Sequence, residues 1–589
     1  MGNAAPVSAV ALAARPLRAK RGRPEVWALA MGAIAWLASI VVLALLAIVL
    51  WLSLVDGQPG NPDLVYTAAN YIETFSDPFA WRALFNTFVF SGLTLAVAMT
   101  IGTPLAWLIE RTDFPGKTAV FATMTIGLLV PGFATAIGWE FLLHPRIGMV
   151  NTALVGLFQL TTPPFNIGNL WGMGWVQGLG LAPVAFVMTS VVLRAIDPTL
   201  EDAAAMSGAR PYRALLRITL PLAWPGLLAA GIFIFMIGFS AFDVPAIIGL
   251  AGNIYTFATY TYDQMRPPQG DPQYGAVAAL SMVMVVLGLL LSWWYARMQR
   301  RAPQFAVVTG KGYRPRLIAL TGGGKLLAVA FVVVYLLLSQ VLPLLVLVWT
   351  STVPFPQPPT LEAIASMSWS NYGLLPAAMI WRGFKNTAEL IVLVPAITIA
   401  IAFSISWIVL RSRVPGRALF DFVAFLPLSV PSIVFSMAAL LLALFVLQQV
   451  VPIYGTLWIL VLVYVVSRIS YATRMTNSAL IQIHRELEEA AQMAGAGLGG
   501  VIRWVLAPLL RPALGYAFIW TALLTYRELT VPVLLSTNDN LPLAVVIWNL
   551  WFGGQFAQAS AVVVLMLVAM MPLIYAGFWF SRSRAVVDR

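Results

Sequence analysis

Leu200-Glu201-Asp202-Ala203-Ala204-Ala205-Met206-Ser207-Gly208-Ala209, followed by Ile218-Thr219-Leu220-Pro221, returns later in the chain as Leu487-Glu488-Glu489-Ala490-Ala491-Gln492-Met493-Ala494-Gly495-Ala496, followed by Val505-Leu506-Ala507-Pro508. Each copy predicts a short helix that is acidic at its start, where carboxylates meet the positive end of the helix dipole. Alanines keep one flank slim enough to enter a partner's groove. The glycine ends the helix with positive φ, and the closing proline begins the next apolar run. Each copy lies between the fourth and fifth apolar runs of its half of the chain, so one stretch reports both a helix and a duplication.

The surroundings of these stretches are those of a membrane protein. Of 589 residues, 60% are hydrophobic and 10% charged, with mean hydropathy +0.86. A soluble surface needs about 25% charged residues, and disordered chains are polar and poor in aromatics. Zero cysteines exclude a disulfide scaffold and thiolate metal sites. Two histidines, His144 and His484, offer little for a histidine cage. Roughly 20 apolar residues cross a bilayer as a helix. Twelve runs qualify, at about 27–55, 83–109, 118–143, 171–193, 223–250 and 273–296, then 326–352, 383–410, 418–449, 454–473, 512–535 and 543–580. The fold class expected is therefore all-α and polytopic.

Charge orients the runs. With the amino terminus placed in the cytoplasm, only Arg82, Arg146, Arg266, Arg382 and Lys385 of the 35 Lys and Arg fall in outer loops. Arg527 lies inside a run, and the other 29 fall on the cytoplasmic side. The excess of basic residues marks the cytoplasmic face and puts both termini there. The net charge of +12 is then a topology and lipid-surface signal, with no nucleic-acid partner implied. No small-residue cleavage site follows a short apolar region, so no signal peptide is expected.

The duplication extends beyond the acidic stretch. Trp81-Arg82 and Asn86-Thr87 return as Trp381-Arg382 and Asn386-Thr387, and Arg111 with Pro115-Gly116 returns as Arg411 with Pro415-Gly416, all offset by 300, as is Pro131 to Pro431. Asp202 to Glu489, Gly208 to Gly495, Pro221 to Pro508 and Val244-Pro245 to Val531-Pro532 share an offset of 287. The 13 extra residues of the first half belong in the loop at about 144–170. Six runs per half start both halves on the same side, a parallel repeat about an axis along the membrane normal. The organisation expected is a basic tail at 1–26, a first repeat at 27–296, a linker at 297–325, a second repeat at 326–580 and a tail at 581–589.

The duplicated acidic stretch resembles the EAA loop of ABC importer permeases, where Glu-Ala-Ala, Gly and Ile-x-Leu-Pro recur at set intervals. The resemblance implies a type I importer fold and a coupling helix that docks on an ATP-binding subunit. Glu201, Asp202, Ala203, Ala204 and Gly208 would serve in one copy, and Glu488, Glu489, Ala490, Ala491 and Gly495 in the other. Asp202 stands where the family has glutamate, and Ala507 replaces a leucine. The nearest approach to a nucleotide-binding loop, Gly322-Gly323-Gly324-Lys325-Leu326, lacks the hydroxyl ligand of Walker A. The chain is thus expected to bind no cofactor of its own and not to be an enzyme. ATP and Mg would belong to two ATP-binding cassette subunits.

Over most of its length the chain is similar to the fused, two-copy permeases of the ferric-iron uptake group. The similarity is carried by Phe242-Asp243-Val244-Pro245-Ala246-Ile247-Ile248-Gly249, Arg527-Glu528-Leu529 and Ile547-Trp548-Asn549-Leu550-Trp551. It implies the bacterial inner membrane, a periplasmic or extracellular solute-binding protein, and ferric iron as solute. Thiamine, phosphonate and polyamine permeases share the architecture and stay open as alternatives. Ferric ion prefers oxygen ligands, so lacking Cys and having few His is compatible. Ionisable residues within spans mark pathways, which selects Asp243, Arg527 and Glu528, with Glu389 behind them. Arg527 and Glu528 also read as an interhelical or interfacial ion pair. Glu140 and His144 sit near a loop, where solvation explains them. An ion-coupled secondary transporter using Glu389 and Glu528 is the rival of another class, and it leaves the duplicated acidic stretch unexplained.

Overall fold

The computed structural model describes residues 26–56, 64–197, 199–266, 272–301, 317–412 and 414–587. Nearly all of the expected basic tail, the middle of the expected linker and the last two residues lie outside the described residues.

The first half comprises α1 (Val26–Ser53), α2 (Pro78–Arg111), α3 (Lys117–Gly127), α4 (Gly132–Leu143), α5 (Leu170–Arg194), α6 (Thr199–Met206), α7 (Tyr212–Ser240), α8 (Phe257–Met265) and α9 (Tyr274–Arg301). The second comprises α10 (Gly322–Thr352), α11 (Ala377–Arg411), α12 (Arg417–Ser429), α13 (Ser432–Leu447), α14 (Leu457–Ile481), α15 (Arg485–Met493), α16 (Leu498–Tyr526), α17 (Thr530–Leu535), α18 (Leu543–Phe552) and α19 (Phe556–Val587). Among the described residues, ten helices are long and apolar enough to cross a membrane, and counting α3–α4 and α12–α13 as one span each gives twelve.

Those two pairs are sharply bent, by 95° and 107°. Pro131 and Pro431 stand at the breaks with extended ψ of 134° and 140°. Proline has no N–H to continue the ladder, so the preceding turn loses its hydrogen bonds. Apolar surroundings then require other donors for the freed carbonyls. The halves solve this differently: Arg527 Nη1 donates to Leu128 O and Val130 O, whereas Ser470 Oγ donates to Ala424 O at 2.7 Å.

The expected runs need correction at these and other breaks. The third and ninth are broken spans rather than straight helices. The fifth and eleventh begin before their prolines, at Tyr212 and Leu498, and end at Ser240 and Tyr526 instead of about 250 and 535. Pro221 and Pro508 are absorbed because each follows a widened turn, Leu215–Thr219 and Ile502–Leu506, that leaves no clash. The twelfth run splits at Gly553–Gly554, where Gly554 has φ +75°, into α18 and α19. Arg468 sits half-way along α14 and is buried, so it does not belong among the 29 basic residues assigned to the cytoplasmic side.

The repeat landmarks have visible duties. Thr87 Oγ1 accepts from Phe257 N at 2.7 Å, and Thr387 Oγ1 from Leu543 N at 2.9 Å, tying α2 to α8 and α11 to α18. Asn86 and Asn386 donate to carbonyls of the same turns. α4 and α13 begin 300 positions apart, and α5 and α14 begin 287 apart, so the extra residues fall between 143 and 170 as expected. They include the short helix Met149–Phe158.

Within each half the second span packs along the fourth, α2 on α5 and α11 on α14. Gly102 makes the first of these contacts close, since a Cβ there would come within 2.5 Å of Ala185 Cβ. The first spans cross over. α1 packs on α13 and α10 on α4, so each half completes the broken span of the other. Gly138 of α4 lies so near Pro343 of α10 that an added Cβ would come 2.5 Å from the Pro343 carbonyl oxygen. On the face that carries α6 and α15, residues 317–320 return along the end of α2. Ile318 N donates to Arg111 O at 2.9 Å, Asp113 N donates to Ile318 O at 3.1 Å, and Leu320 N donates to Asp113 Oδ1 at 2.7 Å.

Candidate functional site

Both acidic helices are anchored from within by an arginine at the end of the second span. Arg111 Nε donates to Glu201 Oε1 at 3.1 Å, while its Nη2 donates to Leu193 O at 2.9 Å and Ile196 O at 3.4 Å. Arg411 repeats this, with Nε to Glu488 Oε1 at 2.6 Å and Nη2 to Leu480 O at 2.9 Å and Ile483 O at 2.7 Å. One guanidinium thus joins three elements: the end of the second span, the orphan carbonyls ending the fourth, and the first turn of the acidic helix. Planar, forked donors make arginine suited to this. Glu201 also accepts from Thr219 Oγ1 at 2.7 Å; the equivalent residue of the second half is Leu506.

This latch divides the residues expected to meet a partner. Glu201 and Glu488 face the bundle. Glu489, Ala203 and Ala490 are exposed, and Asp202, Ala204 and Ala491 are half-buried. Met206 and Met493 project furthest, each 89% exposed. Gly208 and Gly495 follow with φ of +79° and +89°. Ala209 N donates to Ala204 O at 2.9 Å and Ala496 N to Ala491 O at 3.0 Å, the six-to-one bond of a Schellman end. The positive φ expected from sequence is present in both.

A second polar locus lies between the broken spans. A cavity of about 220 Å³ is lined by Asp243, Ser467, Arg468, Tyr471, Arg527 and Thr530, beside Gly132 and Pro431. Asp243 Oδ1 accepts from Thr530 Oγ1 at 3.3 Å, a contact between residues 287 positions apart, the offset of the repeat. Glu528 pairs with Arg468, not with its neighbour Arg527. The ion-pair reading is therefore correct for Glu528 with a different partner. Arg527 instead caps the broken third span. Glu389 is apart from this cavity, 3.9 Å from Lys385 and half-exposed. Glu140 is buried, 3.9 Å from His144 Nε2, which corrects the expectation of solvation. The bend at Pro131 explains this, because it lays α4 beneath α10. Among the described residues no trio of His, Cys, Asp or Glu is placed to hold a metal ion.

The family model described as binding-protein-dependent transport system inner membrane component matches residues 102–303 and again 396–583. The chain belongs to that family. Its two matches fall on the two halves, each containing one arginine-latched helix. The permease is similar to the Fe(3+)-transport system permease protein FbpB 2 of Haemophilus influenzae, 23% identical over 86% of this chain and 90% of the relative. It is also similar to the ferric transport system permease protein FbpB of Actinobacillus pleuropneumoniae, 24% identical over 89% of this chain and 74% of the relative. It is further similar to the molybdenum transport system permease protein ModB of Escherichia coli, 26% identical over 38% of this chain and 96% of the relative.

Sequence reasoning missed several working residues of this permease. Arg111 and Arg411 were visible only as repeat landmarks, and Arg468 was lost in a charge count. Asn70-Tyr71 and Asn371-Tyr372 also repeat. Each asparagine donates to carbonyls ending the first span, and each tyrosine hydroxyl contacts a serine there, Ser53 or Ser351. An offset of 301, one off the surrounding register, concealed that pair.

Proposed function

We propose that the permease forms the membrane path of an ATP-driven importer of ferric iron. The observation that carries the ATP-driven part is the doubled latch: two helices, held identically by Arg111 and Arg411, each present an exposed methionine and an exposed or half-exposed acid to one face. Two ATP-binding cassette subunits dock there, one per helix, and hold ATP and Mg. A solute-binding protein delivers the load at the opposite face. Both termini and the linker lie on the cytoplasmic side of the bacterial inner membrane, with the repeats bounded at 27–296 and 326–580. Ferric iron is supported by the named solutes of relatives that match most of the chain.

The deciding experiment reconstitutes the permease with its ATP-binding subunits in liposomes and follows uptake of labelled iron. Uptake is expected only with ATP inside the docking face and the loaded binding protein outside. Uptake driven by a proton or sodium gradient, without ATP or its subunits, would sink the proposal.

A further inference from the structure

Four arginines illustrate two kinds of use. Arg111 and Arg411 engage both Nε and Nη2 on protein acceptors. The two at the cavity do not. Among the described residues, Arg468 makes its hydrogen bonds, to Leu524 O and Glu528 Oε2, through Nη2 alone. Its Nε is buried without an acceptor, in a residue only 9% exposed. Arg527, among the described residues, uses Nη1 alone, on Leu128 O and Val130 O. The unmet Nε–H of the Arg468 guanidinium is costly, more so than that of a neutral donor. Such a group is accounted for when an acceptor comes from outside the chain, such as a bound ion.

The remaining lining decides the ligand's charge. Among the described residues Asp243 is the one carboxylate on the wall, and it is already hydrogen-bonded to Thr530. Glu528 is held by Arg468. A bare trivalent cation would therefore meet two guanidinium groups and a single carboxylate. Tyr471 adds a hydroxyl able to donate to an anion, while those of Ser467 and Thr530 already donate, to Val463 O at 2.8 Å and to Asp243. The cavity of about 220 Å³ holds far more than one water. None of these charges is duplicated: the equivalents of Arg468, Arg527 and Asp243 in the other half are Leu181, Ser240 and Thr530. The site is single, at the seam of a repeated structure.

We infer that this cavity binds one small oxyanion, a phosphate or compact carboxylate, through the free N–H groups of Arg468 and Arg527. The oxyanion enters either free or as a ligand of ferric iron. Forked guanidinium donors match paired oxygens of such anions. The inference rests on the reading of this chain as the transport path.

The test is equilibrium dialysis of the full permease, assembled with its ATP-binding subunits in nanodiscs, against labelled phosphate, labelled citrate and labelled ferric citrate. Saturable binding at one site per chain is expected for at least one probe. Arg468→Lys keeps the charge beside Glu528 but removes the fork, and with Arg527→Lys it should weaken binding at least tenfold. Ser467→Asp, which leaves both arginines in place and sets a carboxylate beside them, should abolish it. Binding of phosphate or citrate alone identifies a free anion, whereas binding of ferric citrate alone identifies an anion arriving on iron. The inference is overturned by absence of saturable binding of all three probes, by affinities unchanged in the lysine variants and Ser467→Asp, or by binding lost only in Asp243→Asn. ATP-driven iron uptake without anion binding would overturn it and leave the importer reading intact. Anion binding at this site without ATP-driven uptake would do the reverse.

Discussion

The two latches and the central cavity are built from the same kinds of residue under opposite rules. At the latches the halves agree, arginine for arginine and carbonyl for carbonyl, at offsets of 300 and 287. At the cavity they disagree at every charged position. Duplication is retained where each half presents its own helix at the surface, and lost at the cavity that lies between the broken spans. The latch arginines are committed to the protein on two nitrogens, and the cavity arginines on one.

The largest effect expected is from Arg411→Ala. The Glu488 side chain is 10% exposed and has no other hydrogen-bond partner among the described residues. Stranding one member of a buried pair costs about 3–5 kcal/mol. Arg111→Ala should cost less, because Thr219 still donates to Glu201. Denaturation midpoints of the full chain, and the fraction assembled with its ATP-binding subunits, measure both. A larger loss at Arg111 would break the comparison.

Next come Gly208→Val and Gly495→Val. No atom lies within 4 Å of a Cβ at either glycine, so the penalty is purely conformational. A side chain in this region costs about 1–3 kcal/mol. Iron uptake and delivery-stimulated ATP hydrolysis should fall together and alike in the two variants, while insertion persists. Normal coupling in both would remove the docking reading of α6 and α15.

A smaller effect sharpens the cavity side. Arg468→Met and Glu528→Leu each leave a buried charge alone, so the double variant should be more stable than the sum of the singles by about 0.5–3 kcal/mol. Arg527→Met with Glu528→Leu should couple more weakly, since those neighbours attract through space but share no hydrogen bond. Coupling in the second cycle and none in the first would reverse the assignment. Smallest of all, Asp202→Glu should change stimulated ATP hydrolysis less than twofold, because this half-exposed side chain lies outside the latch.

The spans were legible because apolar length is a composition signal, and the repeat because prolines and glycines punctuate it in fixed order. Gly208 and Gly495 could be assigned positive φ from position alone. Breaks were less legible: Pro131 and Pro431 were seen, yet a proline inside an apolar run reads the same whether its helix bends slightly or by 95°. Partners of buried charges were not legible at all. Glu528 lies beside Arg527 in sequence, but α16 ends at Tyr526 and the chain turns there, sending the two side chains to α14 and to the third span. Nothing local marks Arg468, sixty positions away, as the partner.

Residues 317–320 give the second half a means of telling its companion from its own kind. They pair in parallel with the turn after α2, where Asp113 receives the Leu320 amide. In the second half the position of Asp113 is taken by Arg413, which has no oxygen on its side chain to accept that bond. In a permease severed upstream of 317 and expressed as two polypeptides, this contact would favour unlike pairs by the worth of one hydrogen bond, roughly 0.5–1.5 kcal/mol. The segment acts as an address that the side chain of Asp113 can read and that of Arg413 cannot.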